Sequence, residues 1–330
     1  MFRRGVTVLA CVSGGADSMA MLDILLEISK IRGFSVIAAH YNHKLRGEES
    51  ERDENFVREI CANRDIQLYC ESGDVVDYAK KNGIGIEAAA RDLRYRFFYA
   101  AAADAGAERI ATAHTADDNA ETIIMNLTRG AGTTGISGIP PMRPQKSAST
   151  VIRPLLCLSR EDIMRFIQER DIRYVEDSTN SQDIYTRNKI RHNVMPVLKE
   201  INPNLGETMA VAAQLARNDE EYLSDLADSF IAQHGLGDKP QRTGLKVKAL
   251  MDAPSAVSGR VVRKMYAGVK TAERTEGGEQ IAENHTLSFK HINAVLNLCG
   301  NNKPSASVSL PGMIVKRVDD CIVFERTHNS

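Results

Sequence analysis

Ser13-Gly14-Gly15-Ala16-Asp17-Ser18 packs two glycines, two hydroxyls and one carboxylate into six residues. The glycines let backbone approach a phosphate closely, and the hydroxyls can donate to its oxygens. Asp17 is out of keeping with a bare phosphate, because a carboxylate repels one unless a cation lies between them. A nucleotide site here therefore implies Mg²⁺. Taken alone, the same residues also describe a glycine turn with Ser and Asp capping a helix. No Lys follows the glycines as in GxxxxGK[ST], and the spacing is not GxGxxG.

Four further groups carry chemistry-bearing side chains. His114 is followed by Asp117, Asp118 and Glu121. On a helix Asp117 and Glu121 are i,i+4 and share a face. With Asp118 they suit an ammonium group or Mg²⁺, although acids in a first turn also simply complement the helix dipole. Glu87, Arg91 and Arg94 share another helical face. Either arginine could stabilise charge at a phosphate, or pair with Glu87 at the surface. Arg187 and Arg191, with Asn188 between them, suit RNA phosphate, a reacting nucleotide, or a solvated basic face. His40 and His43 flank a strand end, where a structural histidine is the default. Cys11 reads as core.

These residues need elements to hold them. The run Val6 to Val12 reads as a strand, and Met19, Leu22, Leu25 and Leu26 recur at helical spacing after the glycines. Strands are predicted at 35–40, 66–70, 109–114 and 151–156, and helices at 50–64, 86–105 and 116–127, with Ser159 capping another. Such alternation predicts a parallel sheet covered on both faces, with ligands at the carboxyl ends of its strands. Ser13, His40 and His114 all follow strands in this way. From Asp183 the pattern changes. Helices are expected over 185–200 and 207–233, a mobile loop over 270–285, and a β-hairpin from Ser307 to Phe324. No internal repeat is found. The chain divides into an α/β domain, 1–204, and a smaller α-rich domain with a β-hairpin, 205–330.

Composition narrows the class. The chain has 330 residues, 43% hydrophobic and 26% charged, with a net charge of −1. No apolar run approaches the ~18 residues of a membrane span, and Met1-Phe2-Arg3-Arg4 does not open a signal peptide. The six cysteines form no CxxC pair, which argues against a zinc ribbon or cysteine-ligated cluster. They are expected to be reduced, in a cytoplasmic protein. Charge is uneven: residues 239–274 hold nine Lys/Arg against two acids, a net +7, and residues 143–199 carry +4. A basic stripe can mark a nucleic-acid surface or a solvated face.

The S-G-G-x-D-S string between a strand and a helix resembles the pyrophosphate loop of the N-type ATP pyrophosphatases, whose fold is of the adenine nucleotide alpha hydrolase type. The rest of the chain is similar, within that group, to the tRNA(Ile)-lysidine synthetases. The matching stretches are His40-Tyr41-Asn42-His43-Lys44-Leu45-Arg46-Gly47, Glu87 to Tyr95, Ala113 to Thr122, Arg129-Gly130-Ala131-Gly132 and Arg153-Pro154-Leu155-Leu156. Glu176 to Asn180, Tyr185 to Arg191 and the Leu310-Pro311-Gly312 turn complete them. The resemblance implies an ATP-dependent ligase acting on tRNA(Ile) with a CAU anticodon. The C2 oxygen of its wobble cytidine is adenylated, and the ε-amine of L-lysine then displaces AMP. It implies ATP and Mg²⁺ at Ser13, Gly14, Gly15, Ala16, Asp17, Ser18 and His40, with Asp17 on the metal. Catalytic work falls to Asp17, Arg91, Arg94, His114, Asp117 and Asp118. Substrate contacts fall to Asp117, Glu121, Arg187, Asn188 and Arg191. A homodimer is left open.

From the family a longer leader and a further small domain would be expected, which leaves the discrimination among tRNAs open. A tRNA thiolase with the same loop is the nearest rival and needs a cysteine pair or cluster. A non-catalytic RNA-binding module is the second, and the loop and acidic group argue against it.

Overall fold

Val8, Leu9 and Ala10 are fully buried, as a central strand covered on both faces requires. They belong to β1 (Thr7–Cys11), the middle of the first sheet in this computed structural model. The structure describes all residues except 46, 144–148, 177–185, 240–241, 272–286, 301–305 and 328–330. Arg46, Asp177 to Asn180, Tyr185 and most of the loop expected over 270–285 therefore lie outside the described residues.

After β1 come α1 (Ala16–Arg32), β2 (Ser35–Asn42), α2 (Glu48–Asn63), β3 (Leu68–Ser72), α3 (Val75–Asn82) and α4 (Ile86–Asp104). Then follow β4 (Arg109–Ala111), α5 (Ala116–Thr128), α6 (Thr133–Ile136), β5 (Met142–Arg143), β6 (Thr150–Ile152) and α7 (Arg160–Glu169). The strand order is β3-β2-β1-β4-β6-β5. All neighbours are parallel except β5, which joins the edge antiparallel. The chain runs outward from β1 to β2 and β3, then returns to pair β4 on the other side of β1. The switch point, and with it the crevice for a ligand, lies between β1 and β4.

Met19, Met21, Leu22 and Leu25 of α1 pack with Ile163 and Ile167 of α7 against the sheet. Truncating one such leucine to alanine costs about 2–5 kcal/mol. Past α7, the chain forms α8 (Thr186–Lys189), a π-helical turn (Ile190–Val194), α9 (Met195–Ile201) and the start of α10 (Leu205–His234). Ile190, Met195 and Leu205 pack around Ala120 of α5. That small core holds the 186–201 segment against the helix carrying the acids.

Three elements here were not legible. β5 has only two residues, α6 only four, and α3 only two buried ones, Val75 and Ala79, too few for a period to show.

The chain divides into two compact units, Met1–Arg217 and Asn218–Ser330; the division falls within α10. The second unit adds β7 (Gly235–Lys239), β8 (Arg242–Lys246), α11 (Val247–Asp252), α12 (Ser255–Thr271), α13 (Phe289–Gly300), β9 (Ser307–Leu310), β10 (Met313–Val318) and β11 (Cys321–Arg326). Its sheet runs β7-β8-β11-β10-β9, all antiparallel. The expected hairpin is thus three strands of a five-stranded sheet. Gly235, Gly237 and Gly244 interrupt the alternation that would have announced β7 and β8. Leu245, Val261, Val295, Met313, Ile322 and Phe324 form this unit's core.

Candidate phosphate and amine site

The glycine loop leaves β1 after Cys11 and enters α1 at Ala16. Gly14 has φ +92°, and a Cβ there would sit 2.8 Å from Cγ2 of Val175. Its carbonyl accepts the Val175 N–H at 3.0 Å. Both the backbone conformation and the close approach demand glycine. Ser18 Oγ accepts the Ser13 N–H at 3.1 Å and donates to the Gly15 carbonyl at 2.9 Å, closing the loop onto the helix. Gly15 caps α1 without a side-chain partner. The first turn therefore has no capping side chain, the arrangement that suits an anion.

Two more helices begin beside it. Thr115 and Asp118 form a capping box at the start of α5, and Ser159 and Asp162 another at the start of α7. Asp117 Oδ2 accepts the Arg160 N–H at 2.7 Å. The Arg160 guanidinium lies 3.4 Å from Asp17 Oδ2. The first turns of α1, α5 and α7 therefore meet, and three positive helix ends draw negative charge to one place.

The acids of that place differ in state. Asp17 Oδ1 is buried with no hydrogen-bond partner. Burial pushes its carboxyl above the usual range, with Arg160 working the other way. Burial would also raise Asp117, but Lys199, at 2.6 Å, and the Arg160 N–H overcome it and hold the carboxyl low. Glu121 is 2% exposed. Arg191 donates to its Oε1 at 2.6 Å and Arg187 to its Oε2 at 2.9 Å. The same two guanidiniums reach Asp118 Oδ1 at 3.3 and 3.1 Å. The acids thus sort as Asp118 with Glu121, and Asp117 apart, instead of the i,i+4 pair expected.

His40 Nδ1 lies 2.8 Å from the Val12 carbonyl, and its buried Nε2 has no partner. The carbonyl fixes the proton on Nδ1, which leaves Nε2 an acceptor. Burial lowers its pKa. His114 Nδ1 lies 3.0 Å from Thr112 Oγ1, and burial holds the ring neutral, with a pKa of about 3.

A cleft of about 1470 Å³ opens at the carboxyl ends of β1, β2 and β4. Of the residues singled out by sequence, Cys11, Ser13, Gly15, Ala16, Asp17, Ser18, His40, His43, Arg94, His114, Asp118 and Arg187 line it. Gly14, Arg91, Asp117, Glu121, Asn188 and Arg191 do not. Arg160, Lys199 and Thr112 had no signal of their own in the sequence. The capping box at Ser159 was legible, but not that its helix would start on Asp117.

Strand order, glycine turn and converging helix ends define the class: a parallel α/β protein with a phosphate site at the switch point of its sheet. The family model described as "PP-loop domain" matches residues 3–198. The tRNA(Ile)-lysidine synthase of Geobacter sulfurreducens is 34% identical, covering 99% of this chain and 66% of that protein. The Geobacillus kaustophilus protein of the same name is 33% identical, covering 98% and 67%. The chain belongs to the tRNA(Ile)-lysidine synthase family of PP-loop proteins. It spans between about half and two thirds of the length of the curated relatives it matches. Among solved structures, the U34-tRNA thiolase NcsA of Methanococcus maripaludis superposes with a TM-score of 0.56 at 16% identity, covering 65% of this chain and 74% of that one. That likeness concerns the fold alone. Among the described residues no helix is long and apolar enough to cross a membrane.

Proposed function

We propose that this protein uses ATP to join lysine to C2 of the wobble cytidine in a CAU-anticodon tRNA(Ile). The observation that carries the reading is the meeting of the glycine loop with three helix N-termini around Asp17. The relatives' names supply the substrate. In the first step the cytidine C2 oxygen attacks the α-phosphorus of ATP, and the bond to pyrophosphate breaks. In the second the lysine ε-amine attacks C2 and loses a proton, and AMP leaves with the oxygen. Lysidine, AMP and pyrophosphate result.

The loop and the start of α1 hold the departing pyrophosphate. Asp17 fits Mg²⁺: it offers one unpartnered carboxylate oxygen beside the phosphate site. No group of three or more His, Cys, Asp or Glu among the described residues is arranged to hold a metal. Asp17 would hold such an ion together with substrate phosphates, and the ion would supply charge neutralisation of the pyrophosphate. His40 Nε2 and neutral His114 serve as hydrogen-bonding groups; His114 is too weak a base to take the amine proton. Arg94, which lines the cleft, is the arginine assigned to the developing charge at the α-phosphorus, with Arg91 on the same helix at the exposed rim. The lysine ammonium falls to Asp118, the α5 acid that lines the cleft, where it would compete with Arg187 and Arg191 for Oδ1. Glu121, both oxygens engaged, orients Arg187 and Arg191. Asp117 fastens the site's helices together. We assign catalysis to residues 1–204 and tRNA binding to 205–330, in the cytoplasm.

The test is mass analysis of tRNA nucleosides after incubation with ATP, Mg²⁺ and lysine. Lysidine should replace one cytidine. Unaltered cytidine with a correctly folded CAU-anticodon tRNA(Ile) would overturn the reading.

A further inference from the structure

Tyr95 of α4 is 2% exposed, and arginines surround it. The guanidinium carbons of Arg91, Arg143 and Arg94 lie 4.9, 5.5 and 6.0 Å from its ring centroid. Arg153, 3% exposed, lies against the same tyrosine. Four cations thus arrive from α4, from β5 and from the residue after β6. Their recorded partners are neutral: Arg143 donates to Tyr99 Oη at 3.2 Å, and Arg153 to the Pro140 carbonyl. Among the described residues no carboxylate pairs with any of the four. The Nε atoms of Arg143 and Arg153 are buried without an acceptor.

Arg187 and Arg191, a few elements away, are neutralised by Glu121 and Asp118. The Tyr95 group has no such counter-charge. The ring faces offset part of the repulsion. Arg153 is buried, Arg94 and Arg143 are half-buried and Arg91 is exposed; a buried cation needs a charged partner, and the described chain supplies none to Arg153. Arg94 and Tyr95 line the same cleft as Ser13 and Asp17, on the wall built by α4 and not by the glycine loop. Planar guanidiniums match the paired oxygens of a phosphate.

We propose that the arginines gathered on Tyr95 form a second phosphate-binding subsite, distinct from the glycine loop. Arg143 and Arg153 are the members that sequence spacing did not single out. The subsite rests on reading the cleft as the meeting place of ATP and tRNA. Its ligand is a phosphate oxyanion, from the ATP beyond its pyrophosphate or from the RNA backbone.

The experiment measures binding without turnover on the full chain. Probes are ATP, inorganic pyrophosphate and a CAU-anticodon tRNA, against wild type, Arg143→Gln and Arg143→Lys. Arg143→Gln should weaken either ATP or tRNA about tenfold or more, with melting temperature and pyrophosphate affinity unchanged. Arg143→Lys should restore part of it. Weakened ATP names the nucleotide as the source. Weakened tRNA, with a salt slope smaller by about 0.7–0.9 per contact, names the RNA. If Arg143→Gln does not fold, Arg91→Gln, at the exposed rim, takes its place. Unchanged affinity for both ligands in a folded variant overturns the subsite. Lysidine formation by the wild type is scored separately. Its failure counts against the activity, while lost phosphate affinity still stands for the subsite.

Discussion

Asp117 and Arg160, 43 positions apart in the chain, are joined where the Asp117 carboxylate accepts the Arg160 backbone N–H at 2.7 Å. The contact seats the start of α7 on the start of α5. It also leaves the Arg160 side chain directed at Asp17. One carboxylate thereby sets the charge environment of another that it never touches.

Asp117→Ala should destabilise the first unit by about 1 kcal/mol, the scale of one net hydrogen bond. Lys199 is too exposed to add much. The folded carboxyl titrates below its usual value, so its contribution is present above about pH 4 and disappears as pH falls through the folded pKa. The urea-midpoint difference between wild type and variant should therefore be larger at pH 7 than at pH 3. An equal difference at both would remove the charge from the argument.

Asp17→Asn should abolish AMP formation while melting at the same temperature or higher at pH 8. The reason is the opposite shift: burial raises this carboxyl, so the ionised form is a burden to the fold that an amide lacks. A variant that keeps activity with an unchanged Mg²⁺ requirement would remove Asp17 from the metal.

His114 is held neutral to a pKa of about 3, whereas an unfolded histidine protonates near 6.5. Between those values the unfolded chain gains a proton that the fold refuses. Stability should therefore fall as pH drops from about 6.5 towards 3. His114→Gln should flatten that decline, read as urea midpoint against pH. His40 contributes in the same direction, so part of the slope should remain.

The basic stretch 239–274 divides on inspection of its partners. Arg260 pairs with Glu220, and Lys264 meets Asp228 at 2.6 Å. Lys246, Lys248 and Arg263 are exposed, and no described carboxylate pairs with them. Reversing these three to Glu should raise the KM for tRNA and flatten its salt dependence by about 0.7–0.9 per lost contact, with the KM for ATP unmoved. Arg260→Ala should leave the slope alone. An unchanged slope in the triple variant would show a solvated face.

Replacing all six cysteines should leave lysine transfer intact wherever the protein folds. Burial pushes the Cys11 thiol far up, and Cys61 and Cys299 to about 11, the reverse of a reactive thiolate. A folded single-cysteine variant that is inactive would revive sulfur chemistry.

The strand–glycine–helix unit at 6–26 and the alternation of 35–127 were legible because each rests on local physics. Burial on two faces enforces apolar runs, and a phosphate turn enforces glycine at position 14. Capping boxes at Thr115 and Ser159 are likewise local. The partners of the acids were not legible. Asp117 and Glu121 share a helical spacing, yet Asp117 turns to Arg160 and Lys199, while Glu121 joins Asp118 under two arginines. That choice belongs to Ile190, Met195 and Leu205 packing on Ala120, contacts between residues some 70 or more positions apart. The meeting of Arg143 and Arg153 with the α4 arginines on Tyr95 is of the same kind. Chain spacing fixes which side chains can share a helix face. Only the packing of one element on another fixes which charges are neutralised and which are left for a ligand.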